Sequence, residues 1–149
     1  MSESIKFPNM DDVVKGIAKT GGLIESASLF GIRQVAINLV RETQGLLNNN
    51  AHTQSGKSWI PSGHIGANGS PPNRRTGSLS ASIQMEQVVG LPGYAYKVFP
   101  TMEYARALEL GNPRWKSGVR YPYLGPSANK VRLKASKIFT QAFLSKYKV

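Results

Sequence analysis

The stretch SASLFGIRQVAINLVRETQGLL (residues 26–47) has the clearest periodicity in the chain and restricts the folds that the chain can adopt. Its apolar residues recur every three or four positions, which places them on one face of a helix. Such a face must be buried against other elements. The stretch therefore predicts a long amphipathic helix at the centre of the fold. Its predicted core residues are Leu29, Ile32, Val35, Ala36, Leu39, Val40, Leu46 and Leu47.

Phe30 and Ile37 fall outside this face, seven residues apart, and form a second apolar strip on the same helix. Upstream, residues 11–20 predict a short separate helix that Gly21 and Gly22 would end. Two explanations of the strip are open: the short helix covers it, or another subunit does. Phe30 and Ile37 are therefore candidate subunit-contact residues.

The residues after the long helix, about 48–76, are rich in Gly, Ser, Asn and Pro and predict a long flexible loop. Loops of this length are usually functional or disordered. The basic residues Lys57, Arg74 and Arg75 in this loop are candidates for docking to an anionic partner.

Within the loop, AHTQSGKSW (residues 51–59) fits a permissive spelling of the phosphate-binding P-loop. A true P-loop joins a buried strand to a helix. Here the polar end of a helix precedes the motif, and Pro61 would interrupt the helix that should follow. The only aspartates, Asp11 and Asp12, precede the motif, whereas phosphoryl transfer needs one to hold magnesium. The stretch therefore predicts part of a mobile loop rather than a nucleotide site, and we interpret this loop as a candidate docking loop.

In the second half the apolar period changes to two, which is typical of strands. The alternating residues 79–86 and the segment 94–99 flank a GLPG turn, so they predict an antiparallel hairpin. Residues 103–110 suit a short helix that Gly111 ends, and residues 127–147 suit a closing helix. The chain thus predicts one α+β domain over residues 1–149. In it an antiparallel β-sheet packs against the long amphipathic helix and the C-terminal helix.

The closing helix carries a lysine stripe opposite its apolar arc, formed by Lys130, Lys134, Lys137 and Lys148. The stripe is either a solvated face or a surface for an acidic or nucleic-acid partner. Leu133 and Leu144 lie beside it and are further candidate subunit contacts. The formal charge of the chain is +11, and all of the excess lies after residue 56, which favours an anionic partner.

Groups that could perform catalysis are sparse. The histidines His52 and His64 lie in the predicted loop without nearby carboxylates, and Glu103 and Glu109 are interpreted as partners of surface ion pairs around Arg106. The chain has no cysteine, so disulfides and thiolate zinc sites are excluded. We predict no catalytic, cofactor or metal site, no small-molecule substrate and no enzyme. We also predict a soluble protein with no membrane partner, because no apolar run of membrane-spanning length is evident.

Four segments of the second half, in order, resemble the tail-completion and head-to-tail joining proteins of long-tailed bacteriophages. In that family a Thr-Gly-x-Leu-x-x-Ser-Ile segment, a strand, a Tyr-Ala-x-x-x-Glu-x-Gly segment and a Pro-aromatic-Leu-x-Pro segment precede a closing helix. The resemblance covers residues 71–149, roughly half of the chain. Gly125 stands where relatives often carry Arg, and the loop before Thr76 is longer than usual. The four segments are PPNRRTGSLSASI (71–83), YAYKVF (94–99), EYARALELGNP (103–113) and YPYLGPSANKV (121–131).

The resemblance implies a virion structural protein that forms a ring, commonly a hexamer, at the head-proximal end of the tail. Such a ring ends the tail tube and docks to the head connector. The implied partners are other copies of the chain, the tail tube protein, the connector or adaptor protein, and the end of packaged DNA. The implied location is the virion neck, with assembly in the host cytoplasm. A tail terminator and a neighbouring neck adaptor both fit, and a small basic nucleic-acid-binding protein is the alternative that the charge permits.

Overall fold

The helices and strands form the predicted α+β fold, with three differences in the elements that are described below. The computed structural model describes residues 10–49, 69, 71–72, 76–89, 95–114 and 119–147. Most of the predicted loop, including the P-loop-like stretch, Lys57, Arg74 and Arg75, lies outside the described residues. The elements are α1 (Met10–Asn49), α2 (Ser78–Ala81), β1 (Ile83–Val88), β2 (Ala95–Pro100), α3 (Ala105–Leu110), α4 (Leu124–Arg132) and α5 (Ala135–Lys146).

The N-terminal part of the chain forms one helix, so the prediction of two helices was wrong. α1 runs without a break for 40 residues, about 60 Å at the usual rise of an α-helix. Gly21 and Gly22 do not end it, because neither adopts the left-handed conformation of a helix C-cap. A glycine without that conformation weakens a helix by about 1 kcal/mol but does not stop it. The short N-terminal helix that was predicted to cover the strip of Phe30 and Ile37 therefore does not exist as a separate element.

The predicted hairpin is confirmed, although its first strand begins later than the sequence indicated. β1 and β2 pair in antiparallel register from Ile83 opposite Pro100 to Val88 opposite Ala95. The preceding residues form α2, because Gly77 takes a left-handed conformation with φ of 84° and the Ser78 amide donates to Thr76 Oγ1. Local bonds of this kind favour a turn over a strand.

The closing helix is divided in two, where one helix was predicted. α4 starts three residues earlier than expected, and the helix breaks at Leu133 and Lys134, whose amide donates to the Val131 carbonyl in a tight three-residue turn. The prediction placed all side chains of the closing helix at a constant 100° per residue, and this relation does not hold across the break. The predicted lysine stripe does not lie on one uninterrupted helix.

The core lies between the C-terminal half of α1, the hairpin and the segments around α3 and α4. Within the predicted apolar face of α1, Ala36 and Leu47 are buried and the other members are half-buried. Gly31 is also buried, because the Phe139 ring of α5 lies directly on it. The central buried cluster consists of Leu47, Ile83, Ala105, Leu108, Tyr121 and Tyr123.

The N-terminal part of α1 extends away from this core. Residues 11–26, which we call the arm, are exposed except for the half-buried Leu23. By length and composition alone α1 could cross a membrane, since an 18-residue stretch within Asp11–Asn48 has a mean hydropathy of 1.3. In the folded chain 17% of this stretch is buried. The sequence interpretation missed this property. It is shared with core helices of soluble proteins, and the second half of α1 packs on the rest of the chain.

The contact between α1 and α5 at Gly31 gives a stability prediction. A Cβ atom at position 31 would lie 2.6 Å from Phe139 Cδ2, so the Phe139 ring or one of the two helices must shift. We expect Gly31→Ala to lower the free energy of unfolding by about 1–3 kcal/mol, the usual cost of overpacking. Urea denaturation followed by circular dichroism measures it.

Gly45→Ala is the matched control in the same helix, because a Cβ atom at position 45 would have nothing within 4 Å outside its own helix backbone. We expect it to raise stability by about 0.5–1 kcal/mol through helix propensity. Equal effects of the two substitutions would contradict the close approach at Gly31.

Candidate functional site

The carboxylate of Glu109 binds the start of α4. Its Oε2 accepts hydrogen bonds from the amides of Tyr123 (2.8 Å) and Leu124 (3.0 Å), and its Oε1 accepts one from the amide of Gly125 (2.9 Å). The first amides of a helix have no partner within the helix, and a negative charge there is favourable. The interpretation of Glu109 as a surface ion-pair residue was wrong. Among the described residues the ion pairs are Lys97–Glu86 and Lys130–Glu42.

Tyr123 is held from two further sides. It is fully buried, its hydroxyl donates to the Ala105 carbonyl at 3.3 Å, and its own carbonyl accepts from Ser127 Oγ at 2.7 Å. Burial raises the pKa of the Tyr123 hydroxyl far above its usual value, and the negative charge of Glu109 adds to the rise. The hydroxyl therefore stays a protonated donor at neutral pH.

At two positions next to this contact, Gly111 and Gly125, a side chain larger than that of glycine would meet neighbouring atoms. Gly111 ends α3 with φ of 90°, and a Cβ there would lie 2.9 Å from the Val119 carbonyl oxygen. At Gly125 a Cβ would lie 3.2 Å from Glu109 Oε1, so a larger residue would crowd the bound carboxylate. The departure from the family pattern at Gly125 thus falls beside the contact between the two segments.

The segments that carry the family resemblance meet in space. Leu79 of the Thr-Gly-x-Leu segment packs against the core cluster that contains Ile83, Leu108 and Tyr123. The Thr101 amide, which lies between the second and third segments, donates to the Ser82 carbonyl of the first segment at 3.0 Å. Ser82, Ile83, Ala105 and Tyr123 of these motifs are buried, and most of the other motif residues are half-buried. The motif residues therefore mainly build the fold.

The predicted subunit-contact residues lie in different surroundings. Phe30 and Ile37 are half-buried, and the Lys146 ammonium lies 5.6 Å from the centre of the Phe30 ring. Leu133 and Leu144 are 82% and 60% exposed, and they lie before the first turn and in the last turn of α5. Leu133 and Leu144 thus remain the free apolar side chains of the predicted set.

The basic residues that were predicted to bind an anionic partner also differ in their surroundings. Lys130 forms an ion pair with Glu42 and so ties α4 to α1. Lys134 and Lys137 are exposed. Residues 124–146 contain five basic and no acidic residues, which makes this the most one-sidedly charged part of the described chain. The basic residues are Lys130, Arg132, Lys134, Lys137 and Lys146.

An open apolar groove lies between α1, β2, α4 and α5, and sequence reasoning missed it. Its volume is about 210 Å³. Sequence reasoning also missed the exposed apolar side chains of the arm, although their helical spacing could have indicated them. The groove is lined by Ile32, Val35, Ala36, Leu39, Tyr96, Val98, Ala128, Val131, Arg132 and Ala135. The exposed apolar residues of the arm are Val13, Val14, Ile17 and Ile24.

Neither the metal nor the enzyme prediction is decided by the structure. Among the described residues, no three His, Asp or Glu side chains lie close enough together to hold a metal ion. His52 and His64 lie outside the described part. The absence of an enzymatic activity stays a prediction.

In comparisons with known proteins, no protein-family model, curated protein or solved structure matches this chain.

The contact of Glu109 with three amides gives a second prediction. Glu109→Ala leaves these amides without their partner, so we expect the free energy of unfolding to fall by about 1–3 kcal/mol. Faster hydrogen exchange at residues 123–125 should accompany the loss. Glu103→Ala, at an exposed position just before α3, is the control and should stay within about 0.5 kcal/mol of the parent. Equal losses in both variants would argue against the contact.

The buried hydroxyl of Tyr123 gives a pH prediction. The pKa of this hydroxyl is raised in the folded state. Its contribution to the free energy of unfolding is therefore fully present below the ordinary tyrosine pKa of about 10. Above that pH the unfolded chain loses the proton while the folded chain keeps it. The free energy of unfolding then falls by about 1.4 kcal/mol per pH unit for this group.

Tyr123→Phe should remove that alkaline fall and cost about 1 kcal/mol at neutral pH through the lost bond to Ala105. Tyr104→Phe, at a residue that is 49% exposed, is the control and should keep the alkaline slope of the parent. Urea titrations at pH 8, 10 and 11 measure both variants. An unchanged slope in Tyr123→Phe would mean that another group causes the fall.

Proposed function

We propose that this protein is a structural protein of the head–tail neck of a long-tailed bacteriophage. In this proposal copies of the chain form a ring, of the hexameric kind common in the family, that ends the tail tube and joins the tail to the head connector. The observation that carries the proposal is the contact of Glu109 with the amides of residues 123–125. It joins two separate segments that resemble the tail-completion family.

If the short motifs were similar to the family by chance, we would not expect their residues to contact one another in the folded chain. Here the Glu of the Tyr-Ala-x-x-x-Glu-x-Gly segment binds the backbone of the Pro-aromatic-Leu-x-Pro segment. The close Val119 carbonyl explains why residue 111 is a glycine, and the hydrogen bond to the Ala105 carbonyl explains why residue 123 is a tyrosine. Leu79 and Ile83 of the first segment pack in the same core. These contacts support a shared fold as the source of the resemblance.

The exposed surfaces suit an assembly protein. Leu133, Leu144 and the apolar residues of the arm lie in solvent, and large exposed apolar surface usually marks contacts with other proteins. The one-sidedly basic residues 124–146 suit an acidic connector rim or the end of packaged DNA. A ring repeats such a surface around its axis, so a modest charge on each copy adds up to a strong field.

The same basic segment favours one alternative, a small nucleic-acid-binding protein that works without a ring. Lys134 and Lys137 are exposed there, and no acidic residue lies between positions 124 and 146. The two functions differ in a measurable way. A neck protein assembles with copies of itself and with tail tubes, whereas a nucleic-acid-binding module binds DNA tightly as a monomer.

Native mass spectrometry and electron microscopy of the purified protein test the proposal. We expect closed rings of one defined copy number that bind to the ends of tail tubes. We expect Leu144→Asp to reduce ring formation or tube binding at least tenfold while the melting temperature stays unchanged, because an unpaired charge in an interface is costly. Gln141→Asp adds the same charge at an exposed position of the same helix and is the control.

A protein that stays monomeric at all concentrations, ignores tail tubes and binds duplex DNA would overturn the proposal in favour of the alternative. Equal effects of Leu144→Asp and Gln141→Asp would mean that the added charge on this face of α5, and not the loss of the Leu144 side chain, causes the effect. Because the fold is measured in the same samples, a loss of structure cannot be mistaken for a loss of assembly.

A further inference from the structure

The arm is a helix with one apolar side and no covering element among the described residues. Val13, Val14, Ile17 and Ile24 are 37%, 57%, 67% and 44% exposed. At 100° per residue they fall within an arc of about 100°, while Lys15 and Lys19 fall on the opposite side. The arm therefore presents an apolar stripe to whatever lies next to it.

The arm is poorly suited to remain helical by itself. It contains Gly16, Gly21 and Gly22, whose Cβ positions are open, and each glycine costs about 1 kcal/mol relative to alanine in a helix. In proteins, most of the stability of such a helix comes from packing of its apolar face. A surface that covers the stripe would supply that packing.

The groove between α1, β2, α4 and α5 fits such a stripe. Its floor is formed by Ile32, Val35 and Leu39, which lie on the same side of α1 as the stripe of the arm. Its walls are apolar except for Arg132. Its volume of about 210 Å³ is below the ~300–1,000 Å³ of clefts that bind drug-sized ligands. An open apolar groove of this size suits a row of aliphatic side chains on a helix.

A chain cannot place the arm in its own groove. Ile17 and Ile32 lie on one unbroken helix, 15 residues and about 22 Å apart along its axis. An arm that lies in the groove must therefore come from another molecule. A chain that carries a ridge and a matching groove at different places associates head to tail, which gives a ring when the rotation closes.

Charge favours another copy of the chain over a lipid surface. The arm carries Asp11, Asp12 and Glu25 against two lysines, whereas the segment that forms one wall of the groove carries five bases and no acid. Glu25 lies next to the stripe on the helix, and Arg132 lines the groove. Helices that lie on membranes usually have a strongly cationic polar face, which the arm lacks.

We propose that the arm of each copy lies in the groove of the adjacent copy, with Val13, Ile17 and Ile24 towards the groove. The contact repeats head to tail around the assembly. This inference deepens the proposed function and rests on it for the closure of the ring. The arm is then the connecting element between neighbouring subunits, and α1 spans two subunits.

Disulfide cross-linking tests the contact directly, because the chain has no cysteine of its own. One preparation carries Ile17→Cys on the stripe, and a second carries Ala128→Cys at an exposed, groove-lining position. After mixing and mild oxidation we expect a disulfide-linked dimer that contains one chain of each kind. Lys19→Cys, on the opposite side of the arm, is the control and should give at least tenfold less.

A chain that carries both Ile17→Cys and Ala128→Cys should give a ladder of covalent oligomers that ends at the copy number of the ring. Ile17→Asp should reduce association at least tenfold with an unchanged melting temperature. Cross-links of equal yield from Ile17→Cys and Lys19→Cys would overturn the inference.

The outcomes separate this inference from the proposed function. Copies that form rings without the cross-link would overturn the arm contact and leave the neck function standing. A chain that never associates would overturn both. Binding to phosphatidylglycerol vesicles that Ile17→Asp abolishes, without any cross-link, would overturn the arm contact in favour of a lipid surface.

Discussion

The carboxylate of Glu109 accepts hydrogen bonds from three amides, those of residues 123–125. These bonds connect two parts of the chain that are 14 to 16 residues apart. They fix the start of α4 against the end of α3, and Tyr123 is then buried with its hydroxyl on the Ala105 carbonyl. From this point α4 and α5 run back along α1. The start of the basic segment, and with it one wall of the groove, is therefore fixed in part by a side chain near the end of a six-residue helix.

α1 serves two purposes because only part of it is covered. Its C-terminal half contacts the hairpin, α4 and α5, and the contact with α5 is as close as Gly31 permits. Its N-terminal half keeps the same helical period without a covering element among the described residues. A helix that is buried at one end and apolar but exposed at the other is typical of a subunit that completes its core in an assembly.

The described surface combines exposed apolar side chains with a one-sidedly basic segment. Leu133 and Leu144 belong to that segment, and its Arg132 lines the groove. Such a surface suits neighbours that are apolar at the centre and acidic at the rim, as in protein interfaces with a dry centre and a charged edge. This is why we favour a structural role in a phage neck over an independent nucleic-acid-binding protein.

The local sequence is sufficient to predict the α+β class, the core face of α1, the hairpin and the end of α3 at Gly111, because each depends on short-range periodicity or on one residue with special backbone freedom. It is not sufficient to predict that Gly21 and Gly22 stay helical or that the closing helix breaks at Leu133, since both depend on small differences in local energy. The role of Glu109, the pairing of Lys130 with Glu42 and the existence of the groove arise only when the chain is folded. Each of these joins residues distant in the chain, and no local pattern encodes which distant segment a side chain will meet.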